Sequence, residues 1–284
     1  MLSILIPTYN FDVTLLIKEV NNQCIANNIE YEILVYDDAS KPKFNKINQW
    51  INTLSNCCFK ILKKNIGRSA IRNLLGNDAK YKNLLFIDAG TTIKNSNYIQ
   101  NYLKHINEHV VNGGMVAKSK AVGKPYKLRW LYTKYREHNA LCSSNFLIKK
   151  EVFVKFPFNE SLKKYGFEDV LFFEQLTNNY LTIKRINNPV IHSADDDAET
   201  FIQKTEWAIN NLNLLIEDDL LSPDTVKIYT AYLSVKKMRL TWLAAKAYKH
   251  LNKLFLLNFK SNTPFLFLFD IYRLTYLCYI KTKN

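Results

Sequence analysis

The chain has 284 residues, 48% apolar and 13% aromatic, enough to bury a core in one large α/β domain with a smaller appendage, which excludes a disordered chain. Seven Gly and seven Pro exclude a collagen-like chain and argue against a propeller or a sandwich built on Gly-rich turns. The net charge of +14 is uneven: residues 225–284 hold eleven Lys and Arg against one acid, Asp270, so this stretch carries +10 and the rest only +4.

In chain order, MLSILIPTYNFD has no basic n-region and its apolar stretch breaks at Pro7, so it reads as a first strand rather than a signal peptide, with the cytoplasm as the expected location. Residues 2–6 and 31–36 are short apolar runs ending in Pro7-Thr8-Tyr9-Asn10 and Asp37-Asp38-Ala39-Ser40, the pattern of buried parallel strands. Between them, residues 13–27 place Leu15, Leu16, Val20 and Ile25 at helical spacing, which makes a βαβ unit. Helix 43–54, strand 59–62, helix 69–78 and strand 83–87 repeat the pattern and predict a doubly wound, mostly parallel sheet. Ligands of such sheets bind at the carboxyl ends of strands, where this chain delivers Thr8 to Asn10, Asp37, Asp38 and Asp88. Further on come a helix at 97–109, a strand near 115–117, a basic aromatic stretch at 127–136 and a strand at 144–148. Glu168 and Asp169 then open an amphipathic helix with Val170, Phe173 and Leu176 on its apolar side, followed by a strand at 182–186, the segment 188–192 and helices to the end. Cys24, Cys57, Cys58, Cys142 and Cys278 form no CxxC pair, which points to free buried thiols rather than a disulfide framework or a zinc site.

Several residues read in two ways. A carboxylate at Asp37 or Asp38 can accept from the imide N–H of a base, or cap a turn. The turn Asn65-Ile66-Gly67-Arg68-Ser69 leads into a helix carrying Arg72, whose guanidinium suits a pyrophosphate, while Arg68 serves equally as a solvated surface charge. Glu168 and Asp169 either complement a helix dipole or supply a base, and Trp130 either stacks on a sugar or packs in a core.

Five stretches, SILIPTYN, ILVYDDAS, NIGRSAIRN, FIDAG and GFEDVLFF, fall in this order on strand ends and helix starts, and over residues 2 to about 192 the chain resembles the family 2 glycosyltransferases. The resemblance implies an α/β fold of the GT-A kind, Rossmann-like and doubly wound, with a C-terminal helical extension. It divides the chain into a catalytic domain at 1–200, with a donor half at 1–95 and an acceptor half at 96–200, and a basic helical extension at 201–284. It implies inverting transfer from a nucleotide sugar, with UDP as the expected nucleotide, to a glycan or lipid-linked acceptor in bacterial surface polysaccharide or lipopolysaccharide synthesis. By the same resemblance Pro7, Thr8, Tyr9, Asp38, Asn65, Gly67, Arg72 and Asp88 line the donor site. Asp169 is the base with Glu168 beside it, and Trp130, Ser144 and Asn145 lie on the acceptor side. A divalent cation, Mg²⁺ or Mn²⁺, would be held by Asp88 and His192. The third position of the family's DXD motif is Gly90 here, which removes the acid that usually ligates the metal, with Asp195, Asp196 and Asp197 as candidate substitutes or simply a solvated acidic loop.

Lys260, Asp270 and Arg273 interrupt the apolar residues of 225–284, leaving no run near the roughly 20 needed to span a bilayer. The basic, aromatic stretch either lies on an anionic membrane surface or packs as a helical subdomain. Nucleic acid is not an expected partner, because the strand-end carboxylates would repel a polyanion. A nucleotidyltransferase would show a Gly-rich loop after the first strand, and SILIPTYNFD has no glycine. A non-catalytic member of the family is the remaining alternative, given Gly90.

Overall fold

The computed structural model describes residues 1–138 and 140–283. The chain groups into two compact units: Met1–Lys118, Glu137–Lys163 and Glu168–Ser193 form the first, and Ser119–Arg136, Lys164–Phe167 and Ala194–Asn284 the second.

The first unit begins with β1 (Leu2–Thr8), α1 (Thr14–Ala26), β2 (Tyr31–Asp37), α2 (Pro42–Asn48), β3 (Cys57–Ile61), α3 (Arg68–Asp78) and β4 (Asn83–Ile87). It continues with β5 (Thr91–Thr92), α4 (Tyr98–Leu103), β6 (Val110–Asn112) and β7 (Met115–Ala117). The chain then passes through α5 (Lys127–Tyr132) of the second unit and returns as β8 (Asn145–Lys149), α6 (Lys150–Lys155), α7 (Glu168–Asn178), β9 (Ile183–Arg185) and β10 (Val190–His192). Seven strands form one sheet in the order β3-β2-β1-β4-β8-β6-β9, and β5-β10-β7 form a small second sheet. β1 to β4 run parallel, whereas β8 is antiparallel to both β4 and β6.

The uninterrupted apolar run of β1 exists because both faces of the sheet are covered. Ile4 and Ile6 point into a cluster with Leu16, Ile17 and Val20 of α1, while Leu5 points the other way, into a cluster with Ile71 and Leu75 of α3 and Phe172 and Phe173 of α7. Each such fully buried side chain contributes about 1.5–3 kcal/mol.

Two expected helices are shorter than read. The 43–54 pattern is α-helical only through Asn48 and then tightens into a 3-10 turn at Gln49–Thr53. Buried Asn48 accepts from the Val13 N–H and donates to the Phe11 carbonyl, pinning that point to the β1–α1 loop. The 97–109 pattern forms α4 only to Leu103, after which His105 and Ile106 donate to carbonyls three residues back.

β1 connects to β2 on one side, and the chain reaches β4 on the other side through α3, so the strand order reverses between β1 and β4. A crevice outside the carboxyl ends of strands at such a reversal is where sheets of this kind hold ligands. Thr8 and Asp88 stand there, with the start of α3 at the crossover.

The second unit contains α5 with α8 (Ala198–Glu217), α9 (Lys227–Lys237), α10 (Thr241–Phe259) and α11 (Leu266–Lys281). Its core joins Leu128, Phe201, Phe255, Phe259, Phe269 and Tyr272. Asp197 caps α8 by accepting from the Thr200 N–H at 2.7 Å, which also holds its carboxyl below the usual carboxylate range. Asp196 pairs with Lys204 at 2.5 Å. Two of the three acids considered as metal ligands thus have helix-capping and ion-pair partners. No helix among the described residues is long and apolar enough to cross a membrane.

Candidate active site

Asp38 follows β2 and is 5% exposed. Its carboxylate accepts from the backbone N–H of Ile66 at 2.7 Å and of Gly67 at 3.0 Å, its own N–H donates to the Thr8 carbonyl, and its carbonyl accepts from the Asn65 amide. One aspartate therefore ties the ends of β1 and β2 to the loop that opens α3. Gly67 makes that loop possible, with a φ of +89° that a side chain would strain. Asp37 accepts from the Ser40 N–H and hydroxyl, so of the two readings open for it the turn is the one found. Tyr9 is exposed and Pro7 half-buried at the same strand end.

The first turns of α3 carry Arg68 and Arg72, four residues apart and therefore on one face. Arg72 is 1% exposed; its guanidinium meets Asp88 at 2.5 Å and the Arg68 carbonyl at 3.2 Å. Arg68 reaches Asp88 at 3.4 Å through one nitrogen and Glu168 at 2.9 Å through another. The acid at the end of β4 and the acid that opens α7, eighty residues later, are joined through one side chain. From the sequence Arg68 stays open between site and surface; its ion pairs with Asp88 and Glu168 set it at this strand end beside Arg72.

Glu168 is buried, and Asp169 beside it is partly open but surrounded by protein. Burial, and after it the charge of Glu168, push the Asp169 carboxyl up to about 7, against the opposing pull of the Val170 N–H and of Arg68 and Arg72. A carboxylate poised there can take a proton from a hydroxyl near neutral pH.

Three buried polar atoms around this strand end have no hydrogen-bond partner among the described residues: Thr8 Oγ1, Ser69 Oγ and Arg72 Nε.

Residues 3–171 match the model of glycosyl transferase family 2. The chain belongs to this family. No curated protein matches it. Among solved structures, a mannosyltransferase from Pyrobaculum calidifontis in complex with GDP-Man and Mn²⁺ is 12% identical, with a TM-score of 0.58 over 100% of this chain and 88% of that one. TarS of S. aureus is 22% identical with a TM-score of 0.50 over 75% of this chain, and TarS 1–349 in complex with UDP-GlcNAc is 19% identical with a TM-score of 0.49 over 72%. This chain spans 39% of that TarS chain and 64% of TarS 1–349. At 12% identity the likeness to the mannosyltransferase is one of fold, the GT-A fold expected from the sequence.

The remaining expected site residues of this family member divide. Asn145 was expected on the acceptor side, but it is fully buried and its side chain is saturated. Its oxygen accepts from Tyr98 and Tyr102, both at 2.6 Å, and its nitrogen donates to the carbonyls of Gly114 and Asn188. Ser144 is buried against Cys142 and Met115, and its carbonyl accepts from the Asp88 N–H. Both hold the β4 strand end from behind. Trp130 lies on α5 in the second unit, 5% exposed, with Lys134 over its ring at 4.9 Å, so its face is covered within that unit.

His192 is half-buried on β10 and paired in register with Thr91, three residues beyond Asp88. Among the described residues no three His, Cys, Asp or Glu side chains come together to hold a metal ion. The donors present do not fit a chelated divalent cation as arranged. Gly90 offers no side chain, and both Asp88 carboxylate oxygens face guanidinium groups, Oδ1 that of Arg72 and Oδ2 that of Arg68.

Proposed function

We propose that this enzyme transfers a sugar, with inversion, from a nucleotide-activated donor bound where β1, β2 and β4 end to a hydroxyl of a glycan or lipid-linked acceptor. The observation that carries this reading is the ion-paired chain Asp88–Arg68–Glu168, with Asp169, a carboxyl of raised proton affinity, as the residue after Glu168. In the proposed step the acceptor oxygen bonds to the anomeric carbon as Asp169 takes its proton, and the bond to the diphosphate breaks with its electron pair leaving on the nucleotide. The mannosyltransferase of the same fold was solved with GDP-Man, which supports a nucleoside diphosphate sugar as the donor class. UDP is the nucleotide proposed from the family resemblance, and a surface polysaccharide or lipopolysaccharide is the proposed product. Asp38 would read the base with the lone pairs left outside its two backbone bonds.

Thermal shift tests this reading. UDP is expected to raise the melting temperature, and Asp38→Ala to remove that shift by freeing the 65–67 loop. No shift with any of UDP, GDP, CDP or dTDP would refute the donor site.

The second unit supports a finer proposal, that the enzyme docks on an anionic membrane surface. On α10, Trp242, Leu243, Leu254 and Leu257 are 62%, 57%, 62% and 70% exposed, and Phe267 is 72% exposed at the start of α11. Lys246, Lys249 and Lys253 share the exposed side of α10, with Lys246 over the Trp242 ring at 3.8 Å. Exposed apolar groups beside lysines match the headgroup and acyl boundary of an anionic bilayer, at about 1 kcal/mol per basic residue near the surface. Flotation of the full chain with vesicles containing phosphatidylglycerol is expected, with loss in high salt and in the double variant Leu254→Ser, Leu257→Ser. Equal flotation with neutral vesicles, or none with either, would remove the membrane from the account.

A further inference from the structure

Breaking the bond between sugar and nucleotide leaves one more negative charge on the diphosphate than the intact donor carried, and something positive must face it. In a site with two carboxylates at the DXD positions a chelated cation can do so. Here the third position is Gly90, and Asp88 already lies between two guanidinium groups.

The two arginines are not equivalent. Arg72 is 2% exposed along its side chain, meets Asp88 at 2.5 Å and stacks on Phe158 at 5.6 Å, so it is fixed. Arg68 is 45% exposed, and its contact with Asp88, at 3.4 Å, is long. A contact of that length on a half-exposed guanidinium is weak enough for an anion to displace. Its second contact, to Glu168 at 2.9 Å, is with a carboxylate only 6% exposed, which anchors the guanidinium over the site while the Asp88 side stays exchangeable. Arg68 also begins α3, whose N-terminus favours anions, and it adjoins Ser69, whose buried hydroxyl has no partner among the described residues.

We propose that Arg68 supplies the positive charge that meets the donor diphosphate, in place of a cation chelated by Asp88 and a second acid. The proposal rests on the donor-site reading above. The guanidinium exchanges its long contact with Asp88 for a charge-assisted, two-pronged contact with phosphate oxygens and stays tethered to Glu168.

Binding of UDP, measured calorimetrically on the full chain in excess EDTA and again in Mn²⁺, tests it, with uridine as the control ligand. In EDTA the wild-type protein is expected to bind UDP within about threefold of its affinity in Mn²⁺. Arg68→Ala should weaken UDP roughly 30-fold, about 2 kcal/mol at 1.4 kcal/mol per tenfold, with uridine unchanged. Arg68→Lys should recover part of the loss, since a point charge restores attraction but not the forked geometry. UDP binding that vanishes in EDTA and returns with Mn²⁺, or an Arg68→Ala protein that binds UDP as tightly as wild type, overturns the proposal and leaves the donor site standing. Failure of UDP, GDP, CDP and dTDP alike to bind under either condition removes both.

Discussion

Asp169→Asn should lower kcat by about 10²- to 10⁴-fold, the usual range for loss of a positioned base, while leaving nucleotide binding intact. In the wild-type enzyme kcat/KM should rise with pH through a midpoint near 7, because burial and Glu168 push the Asp169 carboxyl up to about 7 and only its ionised form can take the proton. The same shift has a consequence for stability. An aspartate in the unfolded chain titrates near 3.9. Between that value and about 7 the native state keeps a proton that the unfolded chain has released, so stability from this group is greatest below the window and falls as pH rises through it. Asparagine is neutral throughout. The Asp169→Asn protein should therefore melt higher than wild type at pH 8 and close to it at pH 4, while being almost inactive at both. Unchanged turnover would remove Asp169 as the base, and a lower melting temperature at pH 8 would contradict the account of its burial.

Asn145→Leu should have the largest effect on stability. The substitution keeps volume but strips partners from two tyrosine hydroxyls and two carbonyls, and Tyr98 and Tyr102 are fully buried. Each buried group left unsatisfied costs about 1–3 kcal/mol, so a loss of at least 3 kcal/mol is expected, on the order of 10 °C in melting temperature for a chain of this size. Thermal unfolding followed by circular dichroism measures it. A shift below about 2 °C would mean that the network relaxes around leucine or that water replaces the amide. If Asn145 instead contacts the acceptor, the variant would keep its stability and lose turnover, so the same protein separates the two roles.

The strand ends that carry the candidate site were legible along the chain because their signals are local. The runs ending in Thr8, Asp37 and Ile87 are apolar on both faces, and in the structure those faces are the two core clusters that sandwich the sheet. A strand buried on both sides must turn polar where it leaves the core, and the site acids stand at those exits. Ser144-Asn145 shows where this reasoning stops. Polar residues at the start of a strand look the same in sequence whether they face a cleft or the core, and here the hydroxyls of Tyr98 and Tyr102, more than forty residues away, turn Asn145 inward.

The sequence by itself determined the alternation of strands and helices through β4, the carboxylates at the strand ends and the family, because each depends on periodicity and on residues near one another in the chain, whereas β5, β6 and α6 were not read from it. Only the tertiary structure decided how the charges pair. Arg68, Asp88 and Glu168 come from a helix start, a strand end and a second helix start, and their ion pairs depend on distances of a few ångströms that no spacing in the chain encodes. Coulomb attraction at a partly buried site falls off and is screened over that scale, so the partner of a charge is set by the packed fold and not by its neighbours in sequence.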